Sequence, residues 1–180
     1  MFCDIRGFTA IVESQGPEET IELLNTWYTL MFEAITSQGG VVNQMIGDGL
    51  MAIFGAPLPV AEPPLAAVRA ALEMIEMIEL LNAERAAEGK TALAMGIGIA
   101  TGDVFAGYTG TQERATYTCV GDTVNLAARL EAHTKLAGRG ILIDAATQAA
   151  LSGRMRTETL GDVQLKGKAN PVAVHAVAPG

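Results

Sequence analysis

Two aspartates beside short apolar segments are the first residues of this chain that could carry chemistry. Asp4 ends an apolar stretch and precedes a glycine-containing turn, and Asp48 lies inside the turn Gly47-Asp48-Gly49. Carboxylate oxygens suit Mg²⁺ or Mn²⁺, and the N–H groups at a helix start can bind phosphate. Each residue also has an ordinary explanation: Asp4 would cap a helix starting near Phe8, and turns favour aspartate for conformational reasons.

A second set of polar residues lies in the C-terminal half of the chain. Asn125 and Arg129 are four positions apart on a predicted helix and therefore share a face. Arg114 and Thr118 belong to the segment before that helix, and Lys166-Gly167-Lys168 adds two cations near a turn. Taken singly, an exposed Asn/Arg pair and a lysine-containing turn are usually solvated surface.

The spacing of apolar residues predicts the elements that must position these side chains. The predicted buried stripes of the two long helices are Ile21, Leu24, Tyr28, Met31 and Ile35, and Val68, Leu72, Ile75, Ile78 and Leu81. The predicted elements are a strand over Met1–Ile5, helices over Phe8–Ser14 and from Pro17 to Gly39-Gly40, a hairpin of Val41–Ile46 and Leu50–Phe54, a helix over about Leu65–Glu88, a hairpin of Leu93–Thr101 and Val104–Tyr108, a strand over Thr116–Val120, a helix capped by Asp122 and running to about Lys135, a strand over Ile141–Ile143, a small helix after Asp144, and strands near Val163–Lys166 and Val172–Val177.

This order of elements predicts an α+β sandwich built on a ferredoxin-like, split βαβ core, in one domain over residues 1–180. In such a sheet the first strand and the following hairpin are neighbours. We therefore expect Asp4 and Asp48 to converge at one edge. Two carboxylates without a local countercharge suit one or two magnesium or manganese ions that hold a polyphosphate.

Composition and motifs exclude several classes of protein. The chain has 12 Lys and Arg against 20 Asp and Glu, a net charge of −8, which argues against non-specific binding to nucleic acid or to an anionic membrane. No apolar run approaches the roughly 18 residues of a membrane span.

The stretch Gly96–Gly102 lacks the spacing of a dinucleotide fingerprint, no P-loop is present, and His133 and His175 have no zinc spacing. Cys3 and Cys119 form no disulfide framework, which fits a reducing compartment.

Taken together, the segments resemble the catalytic domain of class III nucleotidyl cyclases, the adenylyl and guanylyl cyclases, over essentially the whole chain. The motifs that carry the resemblance are Phe2-Cys3-Asp4-Ile5-Arg6-Gly7-Phe8-Thr9, Ile46-Gly47-Asp48-Gly49-Leu50-Met51-Ala52, Gly121-Asp122-Thr123-Val124-Asn125-Leu126-Ala127-Ala128-Arg129-Leu130-Glu131, and Lys166-Gly167-Lys168. Each is modest alone, and their order and spacing together are specific.

The resemblance implies a head-to-tail homodimer with two active sites, each shared between the protomers. Asp4 and Asp48 of one protomer would hold two divalent metal ions, Mg²⁺ or Mn²⁺, with the backbone carbonyl of Ile5 as a further candidate ligand. The partner would supply Asn125, which orients the ribose, and Arg129, which stabilises charge on the α-phosphate. The residues that would contact the other phosphates are Ile5, Gly7, Phe8, Thr9, Lys166 and Arg114.

The positions that would read the purine are Gln44 and Thr118. Adenylyl cyclases of the family usually carry Lys at the first position and guanylyl cyclases Glu, so Gln44 departs from both patterns. A threonine hydroxyl can accept a hydrogen bond from the adenine amino group, and Gln44 can donate to adenine N1. We therefore expect an adenylate cyclase that converts ATP to cyclic AMP and pyrophosphate. The alternative is a guanylate cyclase or an enzyme that uses both purines, because the neutral amide of Gln44 can rotate and serve the different edge of guanine.

Other readings are a diguanylate cyclase, a polymerase palm and a non-catalytic dimerisation module with the cyclase fold. The missing GGDEF-type turn counts against the first, the length of the chain against the second, and the presence of both aspartates with Asn125 and Arg129 against the third. The first strand is short, which suggests a missing upstream regulatory or sensor region. We expect a cytoplasmic location, or the cytoplasmic side of a membrane if the full protein is anchored.

Overall fold

The computed structural model describes residues 1–111 and 113–178. Its helices and strands follow the predicted order along the whole chain, while the pairing of one strand in the middle of the chain differs from the prediction. In chain order the elements are β1 (Phe2–Ile5), α1 (Phe8–Ser14), α2 (Pro17–Ser37), β2 (Val41–Ile46), β3 (Gly49–Ile53), α3 (Pro63–Ala87), β4 (Met95–Ile99), β5 (Phe105–Gly110), β6 (Ala115–Val120), α4 (Asp122–Ala137), β7 (Ile141–Asp144), α5 (Ala145–Leu151), β8 (Thr157–Val163) and β9 (Val172–Val177).

Seven strands form one sheet in the order β2-β3-β1-β4-β7-β9-β8. Its first four strands pair antiparallel in the arrangement of a split βαβ core, which confirms the predicted α+β, ferredoxin-like fold. Strand β7 extends the sheet parallel to β4. The first predicted hairpin is confirmed as β2 and β3, with β3 next to β1, so the aspartate-bearing turn lies beside the first strand.

Helices cover both faces of this sheet. The larger core lies under α2, α3 and α5 and includes Trp27, Met74 and Ile97, which are fully buried. The smaller core lies under α4 and includes Leu130 and Leu142. Helix α4, which carries Asn125 and Arg129, is therefore separated by the sheet from the two long helices.

The predicted buried stripe of α2 is partly wrong. Ile21 is 59% exposed, whereas Leu23 and Trp27 are buried with Met31 and Ile35. Trp27 is the only tryptophan of the chain and is completely buried, so its large side chain sets the rotation of the helix against the sheet.

The buried face of α3 also differs from the prediction. Val68 and Ile78 are buried as predicted, while Leu72, Ile75 and Leu81 are only half-buried. The place of these larger residues in the core is taken by Met74 and by alanines. The fully buried or nearly buried alanines are Ala66, Ala67, Ala70 and Ala71.

The second predicted hairpin is wrong. Strand β4 lies between β1 and β7 and has no free edge for β5. Instead β5 leaves the main sheet and pairs with β6 in a separate two-stranded sheet, which we call the arm. The connection at Gly102-Asp103 is held by the hydroxyl of Thr123, which donates to the Asp103 carbonyl at 3.0 Å.

Two further boundaries differ from the sequence expectation. Strand β8 ends at Val163, so Lys166 lies in the loop that follows it. Asp122 is the first residue of α4 and makes no capping bond; its carboxylate instead accepts a hydrogen bond from Lys168 at 2.5 Å. The side chain of Asp144 does cap α5, accepting from the Thr147 N–H at 2.9 Å.

Among the described helices, none is both long and apolar enough to cross a membrane.

Candidate active site

The structure brings the two predicted metal ligands to one edge of the sheet. Asp4 pairs with Gly49 of β3 on one side and with Gly96 of β4 on the other. The N–H of Ile5 donates to the Asp48 carbonyl at 3.3 Å, which joins the end of β1 directly to the hairpin turn. A Cβ at Gly49 would lie 3.0 Å from the Asp4 Cβ, so this turn approaches the strand as closely as a glycine permits.

Tyr28 of α2 holds the turn that carries Asp48. Its hydroxyl donates to the Gly47 carbonyl, and the Gly49 carbonyl lies 3.4 Å away. Gly47 has a φ of +62°, a left-handed conformation that glycine adopts without strain. The position of Asp48 is therefore fixed from both sides, by the β1 backbone and by a long helix of the core.

The electrostatics at this edge disfavour a second negative charge. Burial raises the pKa of Asp4, the nearby Asp48 raises it further, and Arg6 partly opposes both effects. Within residues 1–111 and 113–178, neither aspartate forms an ion pair with Lys, Arg or His within 4.0 Å. A divalent cation would supply the missing charge, and hard oxygen donors are the ligands it prefers.

Sequence reasoning missed a third carboxylate beside this pair. Glu131 of α4 points toward the sheet: a Cβ at Gly96, the pairing partner of Asp4, would lie 2.8 Å from Glu131 Oε1. Burial raises the pKa of Glu131 to about 7, with Asp4 and Asp48 adding to the effect and Arg6 opposing it. The glycines at positions 96 and 98 were the available signal, since only glycine lets a helix backbone pack so closely on a strand.

Two arginines lie at the same end of the molecule. Arg6 donates to the carbonyl of Arg139, and the Arg139 guanidinium forms a two-point ion pair with Glu158 at 2.9–3.2 Å. The Nε of Arg6 is buried without a hydrogen-bond partner among the described residues. Neither arginine was assigned a function from the sequence.

The turn after β1 leads into α1. Gly7 has a φ of +69° and its carbonyl accepts from the N–H groups of Ala10 and Ile11. Phe8 and Thr9 form the first turn of the helix, where backbone N–H groups have no intrahelical acceptor. Ile5 is buried at the end of β1. Four of the six residues predicted to contact phosphates thus follow Asp4 closely in sequence and lie at its edge of the sheet.

The predicted catalytic pair lies in a different place, on α4. Asn125 and Arg129 line a groove of about 760 Å³ between α4 and the loop after β8, together with Lys166 and Gly167. Gly167 packs on the arginine, since a Cβ at this position would lie 3.3 Å from Arg129 Nη2. The described residues that line the groove do not include Asp4 or Asp48.

The predicted purine-reading residues lie where β2 meets the arm. Gln44 is exposed on β2, and Thr118 is half-buried on β6 opposite Gly107. The residues before them are hydrogen-bonded, because Asn43 Nδ2 donates to the Tyr117 carbonyl at 2.6 Å. The structure therefore brings Gln44 and Thr118 to the same region of one chain.

Arg114 lies at the tip of the arm. Its carbonyl accepts from the Thr111 N–H at 2.9 Å, and its side chain is exposed. It is not among the described residues that line the groove of Arg129 and Lys166. One chain thus presents the predicted residues in separate groups rather than as one pocket.

Comparison with known proteins identifies the family. The sequence profile described as "Adenylate and Guanylate cyclase catalytic domain" matches residues 1–177. The chain belongs to this family, as the motifs indicated. Its relatives include adenylate cyclase 1 of Rhizobium meliloti, 33% identical over 98% of this chain and 27% of that protein, and the adenylate cyclase of Anabaena cylindrica, 34% identical over 98% of this chain and 36% of that protein. The chain thus spans about a third of the length of these relatives.

Solved structures of cyclase domains share the fold. The adenylyl cyclase CyaB from P. aeruginosa superposes with a TM-score of 0.92 at 32% identity, covering 99% of this chain and 92% of that chain. The guanylyl cyclase Cya2 superposes with a TM-score of 0.88 at 36% identity, covering 98% and 89%. An adenylyl cyclase and a guanylyl cyclase are therefore both similar to this chain.

Proposed function

We propose that this chain is an adenylate cyclase domain that acts as a head-to-tail homodimer. The observation that carries the proposal is the division of its site residues between two places on one chain. The carboxylates lie at the edge formed by β1 and the β2–β3 turn, and Asn125, Arg129 and Lys166 lie in the α4 groove. Two copies that exchange these half-sites would form two complete sites.

An exposed apolar surface supports the dimer. Phe105 and Val120, cross-strand partners on one face of the arm, are 81% and 57% exposed. Tyr108 on the opposite face of the arm is 78% exposed, and Met45 on the neighbouring strand β2 is 64% exposed. Large apolar side chains exposed on and beside the arm are typical of a surface that a protein partner covers. The surface adjoins Gln44 and Thr118, so a partner bound there would lie beside the purine-reading positions.

The aspartates fit the metal ions that the proposal requires. Among the described residues no group of three metal-liganding side chains occurs, so Asp4 and Asp48 would supply two ligands, with the Ile5 carbonyl as a further candidate. Mg²⁺ is commonly bound in this way, by one or two carboxylates together with water and substrate phosphates. The chemistry that two bound Mg²⁺ or Mn²⁺ ions would supply is a lower pKa of the 3′-hydroxyl and neutralisation of the leaving pyrophosphate.

In the proposed reaction the ribose 3′-oxygen of ATP forms a bond to the α-phosphorus. The bond from that phosphorus to the oxygen bridging to the β-phosphate breaks, the hydroxyl proton passes to water, and pyrophosphate leaves. Asn125 would orient the ribose, and the Arg129 guanidinium would stabilise the charge that develops on the α-phosphate. Lys166, the turn at Ile5, Gly7, Phe8 and Thr9, and Arg114 would hold the other phosphates.

ATP is the favoured substrate because of the two residues beside the arm. The Gln44 amide can donate to adenine N1, and the Thr118 hydroxyl can accept from the adenine amino group. GTP is the second candidate, since the same amide can turn its oxygen toward guanine N1–H. The guanylyl cyclase Cya2 is also 36% identical to this chain.

The direct test is to incubate the purified chain with ATP or GTP in Mg²⁺, Mn²⁺ or EDTA and to quantify the cyclic nucleotides by chromatography. The proposal predicts metal-dependent cyclic AMP and a higher kcat/KM for ATP than for GTP. A preference for GTP would overturn the substrate assignment. Absence of both products from a folded, dimeric chain would overturn the enzymatic function and favour a non-catalytic dimerisation module.

A further inference from the structure

Strand β2 contains an irregularity directly before the first purine-reading residue. Val42 pairs with Ala52 and Gln44 pairs with Met51, so Asn43 is the extra residue in the ladder. At a bulge two residues of one strand oppose a single residue of the other. Without it Gln44 would pair with Leu50, and the one-residue shift would turn its side chain to the opposite face of the sheet.

The bulge directs the Asn43 side chain to the arm. Asn43 Nδ2 donates to the carbonyl of Tyr117 at 2.6 Å, and Asn43 Oδ1 is buried with no partner among the described residues. Tyr117 immediately precedes Thr118, just as Asn43 precedes Gln44. The hydrogen bond thus fixes the backbone one residue away from each predicted purine-reading side chain.

This bond is also the polar connection between the arm and the main sheet. Within the described part of the chain, no other hydrogen bond joins residues 105–110 or 115–120 to the seven-stranded sheet. The position of the arm relative to β2 therefore depends on one side-chain amide and on apolar packing around a small cavity that Cys119 of the arm and Met51 of the main sheet both line.

We propose that Asn43 is a positioning residue for purine selection: its side-chain amide, bonded to the Tyr117 carbonyl, sets the separation of Gln44 and Thr118. This inference rests on the proposed cyclase function. Asn43 itself needs no contact with the nucleotide. Because the two readers must engage the same base edge, a change in their separation alters discrimination between adenine and guanine more than it alters the reaction of either.

The test compares Asn43→Asp and Asn43→Leu with the unsubstituted chain. Aspartate has the same shape as asparagine, but its carboxylate cannot donate a hydrogen bond to the Tyr117 carbonyl. Leucine also removes this hydrogen bond, and it adds no charge. The matched control is Asn82→Asp, since Asn82 Nδ2 makes the same kind of bond to the Leu93 carbonyl at 2.8 Å, away from the candidate site. Melting temperature and sedimentation are measured for every variant to verify folding and dimerisation.

The readout is the ratio of kcat/KM for ATP to that for GTP. We expect both Asn43 variants to move this ratio toward one by about three- to tenfold, the range that one lost hydrogen bond allows, while Asn82→Asp leaves it unchanged. Equal losses with both nucleotides, at an unchanged ratio, would show a merely structural role and overturn the inference. An unsubstituted chain that cyclises neither nucleotide would instead overturn the proposed function on which the inference rests.

Discussion

The N–H of Ile5 donates a hydrogen bond to the carbonyl of Asp48 at 3.3 Å, across a gap of more than forty residues in sequence. This contact joins the strand that ends at Asp4 to the turn that carries the second aspartate. Two carboxylates are thereby held at one edge of the sheet without a basic side chain within 4.0 Å among the described residues. Burial of Asp4 and its repulsion from Asp48 should lower the free energy of unfolding until a cation binds, and this loss can be measured.

Replacing Asp4 or Asp48 with asparagine should lower the metal-dependent kcat by a factor on the order of 10² or more. The Asp4→Asn variant should nevertheless melt at a higher temperature than the unsubstituted chain in EDTA, because burial and Asp48 penalise the charged form of Asp4. Asp162→Asn, at an exposed position of β8, is the control and should change neither property. A lower melting temperature for Asp4→Asn would contradict this electrostatic explanation.

The pKa of Glu131 predicts how stability depends on pH. The pKa is raised from 4.5 to about 7, so the folded chain binds a proton that the unfolded chain has lost over this range. The free energy of unfolding should therefore fall as pH rises from about 4.5 to 7 and stay reduced above 7. Because Glu131 is partly exposed, we expect the free energy of unfolding to fall by only about 1 kcal/mol over this range. The Glu131→Gln variant should not show this fall.

This pH effect is measured by urea unfolding in EDTA at several pH values. The control is Glu79→Gln, at an exposed position of α3, which should follow the unsubstituted chain. If the free energy of unfolding depends on pH in the same way for Glu131→Gln and the unsubstituted chain, ionisation of Glu131 does not destabilise the fold.

Gly98 tests the close packing of α4 on β4. A Cβ at this position would clash with the backbone of Ala127 and Glu131, whereas one at Gly107 of the arm would meet nothing within 4 Å. Gly98→Ala should lower the free energy of unfolding by about 3 kcal/mol, and Gly107→Ala should change it by less than about 0.5 kcal/mol. Equal effects, measured by urea unfolding, would show that the helix can move away from the strand at little cost.

Gln44 offers a test of purine selection. A lysine at this position would donate a charged hydrogen bond to adenine N1 and oppose the N–H of guanine, so Gln44→Lys should raise the ATP to GTP ratio of kcat/KM by about tenfold. Gln44→Glu should shift the ratio toward GTP. Gln38→Lys adds the same charge after α2 and should leave the ratio unchanged. If neither Gln44 variant shifts the ratio, this residue does not contact the base.

Much of the fold could be predicted because local signals agreed with the final structure. Gly47-Asp48-Gly49 between two apolar runs specified a hairpin, and the order of elements around it specified the sheet that brings Asp48 beside Asp4. The spacing of Asn125 and Arg129 was enough to assign them to one helix face, and they line one groove.

The features that could not be predicted depend on tertiary packing. Gly102-Asp103 has the local chemistry of a hairpin turn, but both edges of β4 are occupied by other strands, so β5 pairs elsewhere. The rotation of α2 follows the burial of Trp27 rather than the apolar spacing that includes Ile21. Glu131 belonged to a recognised motif, yet its proximity to Asp4 arises only because Gly96 and Gly98 let α4 pack on the sheet.

Each proposed active site is shared between two chains, and mixing two inactive variants tests this sharing. Asp4→Asn removes the metal half-site and Arg129→Ala the groove half-site, so each homodimer should be inactive. In an equimolar mixture about half of the dimers are mixed, and one of their two sites is intact. We expect recovery of about a quarter of the activity of the unsubstituted chain. A mixture that remains inactive, although mixed dimers are detected by native mass spectrometry, would contradict it.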